Sequence, residues 1–240
     1  MAYEDLEKPK KISKELRKAR TVRHDLLYTG YKSLPVSILK FISDPYYLGN
    51  TTNNGKDIYP VWKDALHEMF LDNSKLFIVL TGAIGTGKST IALYAMAYIM
   101  YKILLLKNPW STFGLSDAGK MSISFFNLTK TLGGSRGFTK LQNLLIKSPW
   151  FCDPNNGMAY MSKNKGSEVI EFKLFDYILA SPYAKGFGVV GHDLITGILD
   201  EIDSPTEGVK QKEKVILAYT ASARRFKTRF AADNYSISKL

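Results

Sequence analysis

Cysteine is nearly absent from this chain, since Cys152 is the only one among 240 residues. One cysteine forms no intrachain disulfide and no cysteine cluster for zinc, which excludes disulfide-stapled and zinc-finger classes. A membrane-spanning run is also lacking, because the most apolar segment, 91–106, is short and interrupted by Lys102. The charged N-terminus lacks the apolar core of a signal peptide. We therefore expect a soluble, non-secreted protein of a reducing compartment.

Acidic residues are too few to balance the basic ones. The 33 Lys and Arg face 22 Asp and Glu, which gives a net charge of +11. This balance favours a polyanionic partner, above all nucleic acid, and the alternative is a solvated basic face. No internal repeat or linker marks a second domain. We predict a charged helical arm over 1–33, either solvated or in contact with DNA, and one domain over 34–240.

A glycine-rich turn follows the short apolar run 77–80 and precedes the helical pattern 91–106. Its sequence matches G-x-x-x-x-G-K-[ST], the P-loop that binds the phosphates of nucleotides such as ATP. Glycines let the backbone turn its N–H groups around the phosphates, and the helix N-terminus adds a positive dipole. Lys88 is expected to reach the β- and γ-phosphates, and Ser89 to bind Mg²⁺. The predicted nucleotide-binding residues are Gly82, Ala83, Ile84, Gly85, Thr86, Gly87, Lys88, Ser89 and Thr90.

A second apolar run, 194–199, ends in two carboxylates, Asp200 and Glu201. Ligands in a parallel α/β sheet bind beyond the carboxyl ends of the strands, so Asp200 is placed to hold Mg²⁺ as a Walker-B aspartate does. Glu201 is placed to activate a water that attacks the γ-phosphate. The alternative is an acidic turn after a core strand. A small-molecule kinase needs no such water-activating carboxylate, so the pair favours an ATPase.

These motifs predict an α/β P-loop NTPase with a mostly parallel central sheet flanked by helices, of the type with an additional strand and a catalytic glutamate. Besides the run before the P-loop, the patterns predict strands at 121–126, 169–174, 177–180 and 194–199. The predicted helices are 63–71, 91–106 and 138–146. Tyr59 and Trp62 precede the P-loop, and either an adenine contact or a place in the core suits them.

Basic and aromatic residues alternate near the end of the chain. The basic members that we consider as DNA-binding residues are Arg224, Arg225, Lys227 and Arg229. Such a segment can follow a phosphate backbone, and it can equally be the exposed side of a packing helix.

Several segments, taken in order over roughly 40–240, resemble the large terminase subunits that package DNA into tailed-phage heads. Asp-Pro-Tyr-Tyr-Leu-Gly at 44–49 is similar to the family's entry to the adenine side, with Ile-Tyr-Pro at 58–60. The P-loop follows, and 191–201 resembles the approach to the Walker-B strand. The segment 224–230 resembles R-R-x-x-S-R-F, with Thr228 in place of serine.

The resemblance implies an ATP-driven translocase that works in the host cytoplasm as a homo-oligomeric ring. Its implied partners are double-stranded DNA, the capsid portal protein and the small terminase subunit, and Glu201 is the implied hydrolytic residue. The family also uses a trans-acting arginine, often at the P-loop positions that Ala83 and Ile84 occupy here. Candidates elsewhere for this role are Lys185, Arg136 and Arg224.

Terminases continue into a coupling motif and a nuclease domain, whereas this sequence stops at Leu240. We therefore expect a fragment, a split gene product or a short form, with no cutting of DNA. The leading hypothesis is the ATPase motor of a DNA-packaging terminase. The alternatives are another nucleic-acid-dependent P-loop ATPase, such as a helicase, and a catalytically incomplete DNA-binding or assembly subunit.

Overall fold

The computed structural model describes residues 30–71, 78–83, 85–117, 121–127, 137–156, 169–172, 175–180 and 193–200, with single positions at 213, 217 and 220. Its helices are α1 (Ile38–Ser43), α2 (Gly49–Thr52), α3 (Pro60–Leu71), α4 (Lys88–Leu104), α5 (Pro109–Thr112), α6 (Thr139–Ile146) and α7 (Pro149–Cys152), and Pro154–Asn156 forms a 3₁₀ turn. Its strands are β1 (Met121–Phe126), β2 (Val169–Glu171), β3 (Phe175–Ala180) and β4 (Asp193–Leu199).

The four described strands form one sheet in the order β2-β3-β1-β4. Strand β1 lies between β3 and β4 and is parallel to both, while β2 pairs antiparallel with β3. All six side chains of β1 are buried, as expected for a strand covered on both faces. The mostly parallel α/β sheet predicted from the sequence is confirmed.

Helix α4 is the buried helix predicted after the glycine-rich turn, although it begins at Lys88. Most of its 17 residues are buried, and it packs against α1, α3, α6 and β4. A helix that is apolar on nearly all sides is stable only inside a core. Each fully buried large apolar side chain contributes about 1.5–3 kcal/mol relative to exposure. The apolar composition of this segment is therefore explained by packing inside the domain.

The strand expected immediately before the glycine-rich turn is not formed in the described residues. Positions 78–83 have no strand assignment, and the Val79 side chain is 82% exposed. A strand requires a neighbour that satisfies its backbone N–H and C=O groups, and no described strand pairs with these positions. Apolar, β-branched composition gives a propensity for a strand but supplies no partner. Phe77 lies outside the described residues.

The segment directly before α1 is hydrogen-bonded to α4 through two tyrosines. The Val36 N–H donates to the Tyr101 hydroxyl at 3.0 Å, and the Tyr98 hydroxyl donates to the Val36 carbonyl at 2.7 Å. The Phe41 ring, on α1, lies 5.2 Å from the Tyr98 ring and 5.0 Å from the Tyr101 ring, measured between centroids. This aromatic cluster fixes α1 on the helix that opens at the glycine-rich turn.

No helix in the described ranges combines the length and apolar character needed to cross a membrane.

Candidate functional site

The glycine-rich turn uses backbone conformations that favour glycine. Gly82, Gly85 and Gly87 have φ angles of 141°, 85° and 89°. Side chains other than hydrogen rarely tolerate this region, so the three glycines allow a course that other residues would strain. The turn is also held by its own side chain, since the Thr86 hydroxyl donates to the Ala83 carbonyl at 2.9 Å. Ile84 lies outside the described residues.

Lys88, the first residue of α4, folds back over this loop. Its Nζ donates to the Gly82 carbonyl at 2.7 Å and to the Ala83 carbonyl at 2.6 Å. The side chain is half-buried, whereas Ser89 and Thr90 in the same first turn are exposed. The ammonium group therefore lies at the mouth of the loop, beside the positive end of the helix dipole. This arrangement concentrates positive charge where an anion would enter.

Asp200 is anchored at the carboxyl end of the sheet. Its backbone N–H donates to the Phe126 carbonyl at 3.0 Å, which continues the pairing of β1 and β4 by one residue. Its side chain is half-buried. The position agrees with the general rule that ligands bind beyond the carboxyl ends of parallel strands.

An irregularity in β4 determines which face Asp200 occupies. Ser122 pairs with Leu194, but the next residue, Ile123, pairs with Thr196, so Ile195 is the extra residue of a β-bulge. Because side chains alternate between faces, one extra residue moves all later side chains to the opposite face. The bulge thereby puts Asp200 on the sheet face that packs against α4.

Ser89, in the first turn of α4, contacts Asp200 on this face of the sheet. The Ser89 hydroxyl donates to Oδ1 of Asp200 at 3.1 Å, although the two residues are 111 positions apart in sequence. A hydroxyl and a carboxylate are oxygen donors of the kind that Mg²⁺ prefers, and Mg²⁺ bound with a nucleotide takes its remaining ligands from phosphates and water. The pair therefore fits a magnesium ion bound together with a triphosphate. Within the described residues, no group of three or more His, Cys, Asp or Glu side chains forms a separate metal site.

The two aromatic residues before the loop have different surroundings. The Tyr59 side chain is 67% exposed, so it is not a core residue. Trp62 is half-buried, packs against the core, and donates from Nε1 to the Thr86 carbonyl at 2.7 Å. Sequence reasoning missed this contact with the loop. The available signal was that a buried indole N–H needs an acceptor, which does not identify the acceptor.

Sequence reasoning also missed Asn127, which directly follows β1 and is only 2% exposed. The alternation of side chains along the strands places Asn127 on the same face of the sheet as Asp200, and both lie at the carboxyl end of their strands. The only signal in the sequence was an Asn directly after the predicted strand 121–126.

Several predicted site residues lie outside the described residues. They are Ile84, Arg136, Lys185, Glu201, Arg224, Arg225, Lys227 and Arg229.

A mostly parallel sheet, a glycine-rich loop opening a buried helix, and an aspartate at a strand tip define an α/β P-loop domain of the nucleotide-binding class. The family comparison agrees, because residues 13–237 match the model described as the N-terminal P-loop domain of the uncharacterized protein MJ0330. The chain belongs to this family. Comparison with curated proteins and with solved structures yields no match. The family's description names a P-loop domain and gives neither a substrate nor a partner.

Proposed function

We propose that this chain is a magnesium-dependent ATPase that couples hydrolysis to the movement of double-stranded DNA, as the motor domain of a packaging terminase does. The observation that carries the proposal is the 3.1 Å hydrogen bond between Ser89 and Asp200, because it joins two oxygen donors of a Mg-nucleotide site. The resemblance to terminases and the net charge of +11 support DNA as the partner. On this proposal the protein works in the cytoplasm of a phage-infected host.

Binding of the triphosphate depends on the loop and on Lys88. The backbone N–H groups of the loop are neutral hydrogen-bond donors. They donate to the oxygens of the β- and γ-phosphates. Lys88 exchanges its contacts with the Gly82 and Ala83 carbonyls for contacts with phosphate oxygens. Ser89 and Asp200 would hold Mg²⁺, which would neutralise negative charge on the phosphates. Tyr59 offers an exposed ring to the adenine base.

Hydrolysis is assigned to Glu201, the residue after Asp200. A carboxylate there orients the attacking water and accepts its proton. This assignment makes the protein a P-loop ATPase of the additional-strand, catalytic-glutamate type. Lys88 stabilises the charge that develops on the transferred phosphoryl group. A basic residue from a neighbouring subunit of the ring adds to this stabilisation, and the candidates are Lys185, Arg136 and Arg224.

The experiment for the hydrolytic role compares Glu201→Gln with the wild-type chain. The variant is expected to bind ATP as the wild type does and to lose turnover by about a hundredfold or more, because the amide accepts no proton from water. Glu213→Gln, at an exposed position, is the matched control. Wild-type turnover by Glu201→Gln would overturn the assignment.

The DNA partner is tested by ATP turnover with and without double-stranded DNA. Stimulation that weakens as salt is raised is expected, since contacts between basic residues and phosphates release counterions. Arg224, Arg225, Lys227 and Arg229 are the proposed contacts. Capture of a portal protein or a small terminase subunit separates a packaging motor from a helicase-like ATPase, which would instead separate DNA strands. Absence of turnover together with DNA binding would favour an assembly subunit.

A further inference from the structure

A tryptophan outside the P-loop motif contacts the loop directly. Trp62 Nε1 donates to the Thr86 carbonyl at 2.7 Å. A Cβ added at Gly87 would lie 3.8 Å from the same indole nitrogen, so the ring lies against the peptide that joins Thr86 to Gly87. Trp62 stands near the start of α3, and its ring packs against the core, which limits its freedom to move away.

This contact acts on the orientation of one peptide group. In a trans peptide unit the C=O and the N–H point in opposite directions. A donor that holds the Thr86 carbonyl toward α3 consequently turns the Gly87 N–H away from α3. The other side of Gly87 is also held, because its carbonyl accepts from the Ile91 N–H at 3.0 Å as the first hydrogen bond of α4.

We propose that Trp62 is a positioning residue of the P-loop, which orients the Gly87 N–H toward a bound polyphosphate. The inference rests on the proposed triphosphate-binding function and names a residue that the motif itself does not contain. Trp62 acts by holding the loop backbone and does not itself touch the phosphates. It therefore differs from a base-stacking residue, whose effect would depend on adenine.

The test uses tripolyphosphate, a ligand without a base, next to ATP. Trp62→Phe keeps the aromatic ring and removes the indole donor. Loss of one hydrogen bond that organises the loop is expected to weaken binding of both ligands by about three- to tenfold. Trp110→Phe on α5 is the matched control, and its affinities should equal those of the wild type.

The outcomes separate this inference from the proposed function. Weaker binding of ATP alone would show that Trp62 acts on the base and would overturn the positioning role. Unchanged affinities for both ligands would overturn it as well. Failure of the wild-type chain to bind either ligand would overturn the proposed function, and the positioning role with it.

A second measurement needs no variant. The indole N–H resonance of Trp62 in the wild-type chain is expected to exchange slowly with solvent, because the proton is donated to Thr86. It should also shift during titration with tripolyphosphate. A resonance that exchanges freely and does not move on titration would contradict the inference.

Discussion

The Lys88 side chain places a positive charge at the proposed phosphate site. Lys88 holds its ammonium group on two loop carbonyls, and neither contact is a salt bridge within the protein. A charge that is held by neutral acceptors stays available for an anion. The motif alone predicted this residue and its neighbours, since the pattern is defined by spacing along the chain. It predicted neither Trp62 nor Asn127, whose relation to the site depends on tertiary packing.

Replacement of Lys88 by alanine is the direct test of this residue. We expect ATP affinity to fall by about ten- to a hundredfold, since a charge-assisted contact is worth about 1.5–3 kcal/mol. Thermal stability should change little, because the hydrogen bonds of the Lys88 ammonium group go to two exposed loop residues, Gly82 and Ala83. Lys147→Ala, an exposed lysine after α6, serves as the control. Equal ATP affinity in both variants would exclude Lys88 as a phosphate ligand.

Tyr101 makes the free energy of unfolding depend on pH. Burial raises the pKa of its hydroxyl above the ordinary value of 10.0, while the hydrogen bond with Val36 lowers it by a smaller amount. The folded chain therefore keeps the proton at a pH where the unfolded chain loses it. The contribution of Tyr101 to the unfolding free energy is fully present below pH 10.0, and it decreases as the pH rises above that value.

Tyr101→Phe removes this dependence. At neutral pH the variant is expected to lose about 1 kcal/mol of unfolding free energy, through the lost hydrogen bond with Val36. Between about pH 9 and about pH 11 its unfolding free energy should decline less than that of the wild type. Denaturant unfolding at each pH measures both effects, with the exposed Tyr46→Phe as control. A decline as steep as that of the wild type would refute the role of Tyr101.

At the level of elements, the long periodic segments were predictable and the short capped ones were not. Strand β1 has the predicted bounds, and α4 and α6 differ from prediction only near their ends. Proline is usually expected to end a helix, yet Pro109 lies in α5 and Pro149 in α7. Each proline instead stands in the first turn of a helix, after a residue that caps it through its side chain, Asn108 or Ser148. Proline after a capping residue begins a helix as readily as it ends one.

The P-loop is the element whose backbone shape is easiest to test. Gly85 has a φ of 85° and no atom within 4 Å of an added Cβ, so Gly85→Ala introduces backbone strain without a clash. A residue forced into this region costs about 1–2 kcal/mol, which predicts ATP binding weaker by about five- to thirtyfold. Gly30→Ala is the matched control, because its Cβ also meets nothing within 4 Å. Equal affinity in the two variants would contradict the strained-loop account.

For the molecule as a whole, the candidate site forms only when the chain folds and brings distant residues into contact. The sequence predicted both parts of the candidate site, the loop and the acidic strand end. The rule for parallel sheets predicted that both would lie at the carboxyl end of the sheet, and the contact between Ser89 and Asp200 agrees with it. It did not predict the bulge at Ile195, which has no signature in composition and which determines the face of Asp200. Folding brings Ser89 and Asp200, which are 111 positions apart, into hydrogen-bond contact and so joins the two motifs in one candidate site.

If Ser89 and Asp200 belong to one Mg-nucleotide site, their effects on ATP binding are coupled, and a double-mutant cycle on ATP affinity measures this coupling. The affinity is measured with and without Mg²⁺ in the wild type, Ser89→Ala, Asp200→Asn and the double variant. We expect Mg²⁺ to strengthen ATP binding in the wild type, each single variant to lose most of this gain, and the double variant to lose little more. Losses that simply add, or a gain from Mg²⁺ that survives in Asp200→Asn, would contradict this expectation.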